Sequence, residues 1–374
     1  MFSHVKSYLD EFERLGIPGM DISVWYKGKE VFRETRGVSD ENGTPMSGKE
    51  KFNIYSCSKV ITCVAALLLV EEGKLCLDDE IALYLPAFAN MYVKQGGTLV
   101  KAEKRITVRH LFTMTAGLNY DCGNEAIKRG RKETDGKSPT VEMMKYIAQI
   151  PLDFEPGTTF QYSLCHDVLA AVVEIVSGKR FGQFVKERIF DPLEMFHTTF
   201  LLPDEELSSI CAQYRFVDNE FHNVGRRIQT YKLGSEYESG GAGAISTVED
   251  YIRFLEALRT GRLLKEDTLA LMRTNHLNDN QRSTFWPAPD GYSYGLGVRV
   301  PCTGFPRTDF GWGGAAGASL AIDPEHEISF YYAQHVLASP NGGLRKDLIE
   351  AVKLDLGYDA YVESMWQGKG STLA

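Results

Sequence analysis

The chain has 374 residues, 43% hydrophobic and 24% charged, with a net charge of −9. This is ordinary globular composition, enough for one large or two intertwined domains, and an acidic balance with only short basic clusters (128–132 and 226–227) argues against a nucleic-acid partner. No apolar run is long enough to span a membrane, the charged start lacks a signal-peptide core, and seven scattered cysteines fit reduced thiols, so a cytoplasmic protein is expected.

In chain order, Val5, Leu9, Phe12 and Leu15 recur at helical spacing, which predicts a helix over 4–15 stopped by Gly16 and Pro18-Gly19. Alternation over 21–26 and 30–38 around Lys27-Gly28-Lys29 predicts a β-hairpin. A polar loop, 39–51, leads into Tyr55-Ser56-Cys57-Ser58-Lys59 and the apolar run 60–70. From 60 to about 210 the pattern is mainly helical with long loops. Thr107 is an N-cap candidate, helices are expected over 141–150, 167–177 and 181–189, and Gly178 is a C-cap. Residues 119–140 are polar and charged and read as a mobile loop. Strands return from about Phe216, and Ser246 or Thr247 caps a further helix. Residues 294–300 alternate as a strand, and 318–323 with 328–334 flank a turn at Pro324 to Glu327. A last helix is expected over 344–356, before a disordered tail at 368–374.

These elements predict an α+β fold: an antiparallel sheet flanked by N- and C-terminal helices, plus an all-helical subdomain. Residues 1–59 and 211–374 would build the sheet part and 60–210 the helical part, one intertwined unit with the active cleft between them.

Ser56 and Lys59 form Ser-x-x-Lys. At a helix start the two share a face, so a hydroxyl and an amine reach one site beside free backbone N–H groups. That pairs a nucleophile with a base. The spacing alone has little specificity, since Ser3 and Lys6 match it too. Gly291 to Gly295 fits the Gly-x-Ser-x-Gly elbow, but Pro287-Ala288-Pro289-Asp290 stands where a buried strand belongs, so Ser293 is not expected to be catalytic. Residues 43–50 nearly match a phosphate-binding loop and lack its Ser/Thr. The eight histidines show no metal-ligand spacing, and no metal or cofactor is expected.

Several longer stretches resemble the serine β-lactamase and penicillin-binding-protein superfamily, in the branch holding class C β-lactamases, D,D-peptidases and β-lactamase-like carboxylesterases. They are Ser56-x-x-Lys59, Val108-Arg109-His110-Leu111 to Ala116-Gly117-Leu118, Phe154 to Ser163, Asp191-Pro192-Leu193-Glu194-Met195 and Ser239 to Thr247. They come in family order and cover nearly the whole chain. The resemblance implies Tyr162 as the tyrosine of the second motif. It also implies an oxyanion hole of the Ser56 and Ala315 backbone N–H groups, and a substrate-binding strand at Trp312-Gly313-Gly314. Two departures are evident. Leu164 stands where the second motif has asparagine, and Trp312 where the third has a basic residue. Both are similar to the esterase branch.

The expected chemistry is therefore acyl transfer through an acyl-enzyme on Ser56, with Lys59 and Tyr162 moving the proton as one coupled pair. Asp121 is a further candidate for the cleft wall. The expected partner is a small-molecule ester. A lactam or D-amino-acid amide is the alternative substrate, transfer to another acceptor an alternative reaction, and a non-catalytic ligand sensor the alternative of another class. Oligomeric state and physiological substrate stay open.

Overall fold

The computed structural model describes residues 2–227, 231–285 and 291–361; the expected tail at 368–374 lies outside the described residues. A seven-stranded antiparallel sheet runs in the order Lys29–Gly37, Gly19–Tyr26, Ile328–Gln334, Ser319–Asp323, Phe310–Gly313, Arg299–Pro301, Tyr292–Tyr294. The N-terminal hairpin pairs with the C-terminal one, Met20 opposite Gln334 and Tyr26 opposite Ile328. Lys27 and Gly28 both take positive φ (51° and 80°), the geometry a two-residue hairpin turn needs to match strand twist.

Alternation divides the sheet's side chains between two cores. On one face Ile22, Val24, Phe330 and Tyr332 pack on Val5, Leu9 and Phe12 of helix Ser3–Arg14 and on Ile349 and Val352 of helix Leu348–Asp355. On the other face Tyr331, Leu320 and Phe310 join the main core, which includes helix Val248–Arg259. Its axis is helix Ser58–Glu71, in which every residue from Ser58 to Leu69 is buried. A helix apolar nearly all round has no solvent face and must lie inside. It packs on Cys165–Ser177, which ends at Gly178 with φ 68°. Thr107 caps helix Val108–Phe112 reciprocally with His110, and Thr247 caps Val248–Arg259 by accepting from the Asp250 N–H.

The mixed helix-and-sheet architecture is as expected, with four local differences. The helical stretch also holds a hairpin, Tyr92–Gln95 with Thr98–Lys101. The segment 119–140 contains helix Glu125–Glu133; Ala126, Ile127 and Gly130 are its narrow inner face, and the polar composition is its outer face. Residues 294–300 are not one strand. Gly297 (φ 86°) turns the chain back, and a Cβ there would lie 2.2 Å from Cys63 Sγ. Two short helices, Glu266–Met272 and Asp279–Ser283, follow Val248–Arg259.

One short seam positions everything below. Phe52–Asn53 pairs antiparallel with Ile245–Ser246, which lays the 239–244 segment along the start of the buried helix.

Candidate active site

Tyr55-Ser56-Cys57 form one 3₁₀ turn that runs directly into helix Ser58–Glu71. Tyr55 holds φ 47°, uncommon for a large side chain. Its phenol donates to Gln213 Oε1 (2.6 Å) and its ring meets the Tyr231 ring edge-on. Three further bonds fix the turn: Ile54 N–H to Ala244 O (3.1 Å), Ala244 N–H to Ser58 Oγ (2.9 Å), and Tyr251 O–H to Cys57 O (2.8 Å).

Lys59 is 0% exposed. Its Nζ donates to Ser56 Oγ (3.3 Å), the Tyr120 hydroxyl (2.8 Å) and Gly241 O (2.6 Å). Three acceptors match the three N–H groups of an ammonium; in the neutral amine one of these directions becomes a lone pair. Gly241 must be glycine. A Cβ there would lie 2.4 Å from Asp167 Oδ2 and 3.1 Å from the Tyr120 hydroxyl. Asp167 is buried behind this point, where Tyr237 O–H donates to its Oδ1 (3.1 Å). Burial pushes the Asp167 carboxyl above its ordinary range, against the pull of the nearby Lys59 charge.

The expected hydrogen bond between Lys59 and Tyr162 is replaced by one to Tyr120. The Tyr162 phenol oxygen accepts from Trp312 Nε1 (3.1 Å), while Lys59 Nζ sits 4.5 Å from the centroid of the Tyr162 ring. Tyr162 thus meets the lysine through its ring face, as a cation–π contact. Burial raises the Tyr120 hydroxyl well above its ordinary value, so it stays neutral, accepts from Lys59 and keeps a proton to donate. Tyr120 lies two residues beyond Leu118, the end of a motif-like block; that adjacency was the available signal, and the polar composition after it masked it.

Above Ser56 opens a cavity of about 1140 Å³ whose walls include Tyr120, Phe160, Tyr162, Tyr231 and Trp312. Trp312 and Gly313 end the strand Phe310–Gly313, and with Gly314 and Ala315 they line the same cavity as Ser56. Gly314 brings that strand end against the serine turn; a Cβ on it would lie 2.4 Å from Ile54 O. Asp121 is not part of this wall. It is exposed, and its carboxylate accepts from Asn124 Nδ2 (3.2 Å) just before helix Glu125–Glu133.

The remaining sequence candidates have structural environments. Leu164 is buried in the main core. Ser293 is fully buried in a strand and donates to Asn275 Oδ1 (2.5 Å). Cys57 is buried and its thiol is pushed up to about 12, so it carries no thiolate at neutral pH.

A half-buried serine on a fully buried lysine, at the floor of a large cleft between a helical segment and an antiparallel sheet, defines a class of penicillin-recognising-type folds. The chain belongs to the family described as Beta-lactamase, which matches residues 5–352. Protein Rv1367c of Mycobacterium tuberculosis (strain H37Rv) is 28% identical over 346 residues, 85% of this chain and 86% of that protein. Esterase EstB of Burkholderia gladioli is 31% identical over 265 residues, covering 65% of this chain and 66% of its own. Among solved structures, EstCE1, titled a hydrolase with promiscuous acyltransferase activity, superposes with a TM-score of 0.78 at 27% identity, over 93% of this chain and 97% of that one. The chain is thus a member of a β-lactamase-fold family of serine hydrolases.

Proposed function

We propose that this protein is a carboxylesterase on small esters, working through an acyl-enzyme on Ser56. The observation that carries the reading is the contact of Lys59 Nζ with Ser56 Oγ (3.3 Å) at the floor of the cavity. In the proposed cycle neutral Lys59 takes the Ser56 proton as Oγ adds to the ester carbonyl. The Ser56 and Ala315 N–H groups stabilise the oxyanion. The alkoxide leaves with a proton relayed through Lys59 and the Tyr120 hydroxyl it bonds, while Tyr162 holds the lysine against its ring face. Water, activated the same way, attacks the acyl carbonyl and returns the proton to Ser56. Trp312, Gly313 and Gly314 would shape the acyl or alcohol site.

Esters are favoured over lactams by two side chains. Leu164 faces the core and offers no amide to a lactam side chain, and Trp312 offers no charge to its carboxylate. Esterase EstB among the relatives supports the same choice.

The test compares a short-chain p-nitrophenyl ester with a chromogenic cephalosporin on one preparation, with fluorophosphonate labelling of the protein. Ester turnover with label on Ser56, and a loss of at least ~10⁴-fold in kcat/KM in Ser56→Ala, is expected. Cephalosporin turnover without esterase activity would overturn the substrate choice. Unlabelled Ser56, with ester turnover unchanged in Ser56→Ala, would overturn the enzyme reading.

A further inference from the structure

A buried carboxyl stands behind Lys59, and the ester chemistry above makes no use of it. Asp167 and Lys59 are both fully buried, a costly state for a charge unless another charge answers it. Asp167 lies in the first turn of helix Cys165–Ser177, where the helix dipole favours an anion. Tyr237 O–H donates to its Oδ1 (3.1 Å), and its Oδ2 lacks a well-formed hydrogen bond.

One glycine joins the two groups. The Gly241 carbonyl accepts from Lys59 Nζ (2.6 Å), and a Cβ on the same residue would lie 2.4 Å from Asp167 Oδ2. The residue before it is clamped as well. Gly240 O accepts from Thr62 Oγ1 (2.8 Å), and a Cβ there would lie 2.5 Å from His166 O. The strip 240–241 is thus wedged between the helix that carries the lysine and the helix that carries the carboxyl. Asp167 bears on Lys59 through this fixed peptide.

The surrounding groups offer no other answer to the lysine charge. Cys57 and Cys63 on the lysine side, and Cys165 on the carboxyl side, are pushed up by burial and stay thiols at neutral pH. His166 is brought down by burial to about 3 and is neutral. Burial also raises the Cys122 thiol and the Tyr120 and Tyr237 hydroxyls, which keep their protons. Tyr162 gives its ring to the lysine and its hydroxyl to Trp312. Asp167 is left. Burial raises its carboxyl first, while the Ser239 hydroxyl, the Lys59 charge, the Tyr237 hydroxyl and the Gly241 N–H pull it back toward the ionised form. Such coupling is mutual: a lysine charge that favours the carboxylate is itself favoured by the carboxylate.

We propose that Asp167 is a positioning residue for the acyl transfer, a third member behind Ser56 and Lys59 that supports the ammonium formed each time Lys59 takes a proton. This rests on the esterase reading. As Ser56 Oγ bonds to the ester carbonyl carbon, its proton passes to Lys59 Nζ. As the ester C–O bond breaks, that proton goes on to the departing alkoxide. Asp167 takes no proton in either step. Its carboxylate stabilises the cation between them, the part a third group plays behind the base of other nucleophilic sites.

Asp167→Asn keeps the shape, and an oxygen for Tyr237, but removes the charge. The acid limb of kcat/KM for a p-nitrophenyl ester is expected to move to lower pH by about one unit or more, because a lysine without the carboxylate gives up its proton more readily. The plateau should fall by about tenfold, because the amine is then a weaker base. NMR titration of isotope-labelled lysine, with the Lys59 signal assigned by its loss in Lys59→Met, should show the same downward shift without any turnover. If Asp167→Asn does not fold, Tyr237→Phe, which removes a donor to the carboxylate, should move the limb the same way by less. A plateau that falls while limb and lysine titration stay in place means packing alone and overturns the proposal, as does a shift to higher pH. A wild type that neither cleaves esters nor takes fluorophosphonate on Ser56 would sink the esterase reading, and the lysine titration would still decide the coupling.

Discussion

Two arginines that meet the turn Leu344–Asp347, one bonded to it and one part of it, sit on opposite terms with their surroundings. The Arg307 side chain is fully buried and saturated: it bonds Asp347 (2.8 Å), lies 3.5 Å from Glu350, and donates to the Tyr292 hydroxyl and to the Lys346 and Tyr361 carbonyls. Lys353 extends that network to Asp323 (2.9 Å) and Glu350 (3.3 Å). Arg345, within the turn Leu344–Asp347, lines the cavity and has no carboxylate partner among the described residues. The difference separates two uses of buried charge. A saturated charge holds elements in place, whereas an unsaturated one weakens the fold.

The comparison predicts that removing a saturated charge costs stability, while removing an unsaturated one costs little or gains some. The largest stability effect should come from Arg307→Met, which removes from the core the guanidinium that neutralises Asp347 and lies beside Glu350. A loss of about 3–5 kcal/mol in urea unfolding is expected. A loss below ~1 kcal/mol would mean that the network is solvated and the contrast false.

His335 offers the same contrast through pH. It is buried, with one ring nitrogen 2.7 Å from Cys211 O and the other 3.2 Å from Asn53 Nδ2, an arrangement that suits a neutral ring. Burial first, against the pull of its backbone partners, lowers its pKa to about 4. The folded value lies below the ordinary one near 6.5, so its contribution is full above that pH and is lost as pH falls toward 4. The span corresponds to about 3 kcal/mol. His335→Gln should flatten the fall of the urea midpoint across this window by one proton. An unchanged slope would show that the ring is not the titrating group.

The smallest effect concerns the two tyrosines. Tyr120 bonds Lys59 through its hydroxyl and Tyr162 meets it through its ring face. Tyr120→Phe should therefore lower kcat by ~10-fold and shift the pH–rate profile. Tyr162→Phe keeps the ring but removes the hydroxyl that accepts from Trp312, and should change KM more than kcat. The reverse ranking would show that the phenol of Tyr162 swings to the lysine during turnover.

Legibility in the sequence followed the range of the forces involved. Caps at Thr107 and Thr247, the Gly178 helix end and both terminal hairpins were readable because each depends on a few adjacent residues. Helix Glu125–Glu133 was hidden because only three of its residues face inward. Gly297 was misread because its partner, Cys63, is remote in sequence. The partners of Lys59 show the same limit. The serine is three residues away, but Tyr120 and Gly241 arrive by folding alone. Arg345 carried no local signal, since what distinguishes it is a missing partner rather than a present one.

The keyed contact between Gly314 and Ile54 has a consequence for how the molecule can vary. The carbonyl of Ile54 occupies the place of the methyl that Gly314 lacks, two residues before the serine. Nucleophile and strand end are therefore registered against each other by one shared dimension, like two gauge blocks in contact. The cleft can be recut for new substrates at Trp312, Tyr231 or Arg345 without disturbing that registration. One methyl at position 314 would put both faces out of true together.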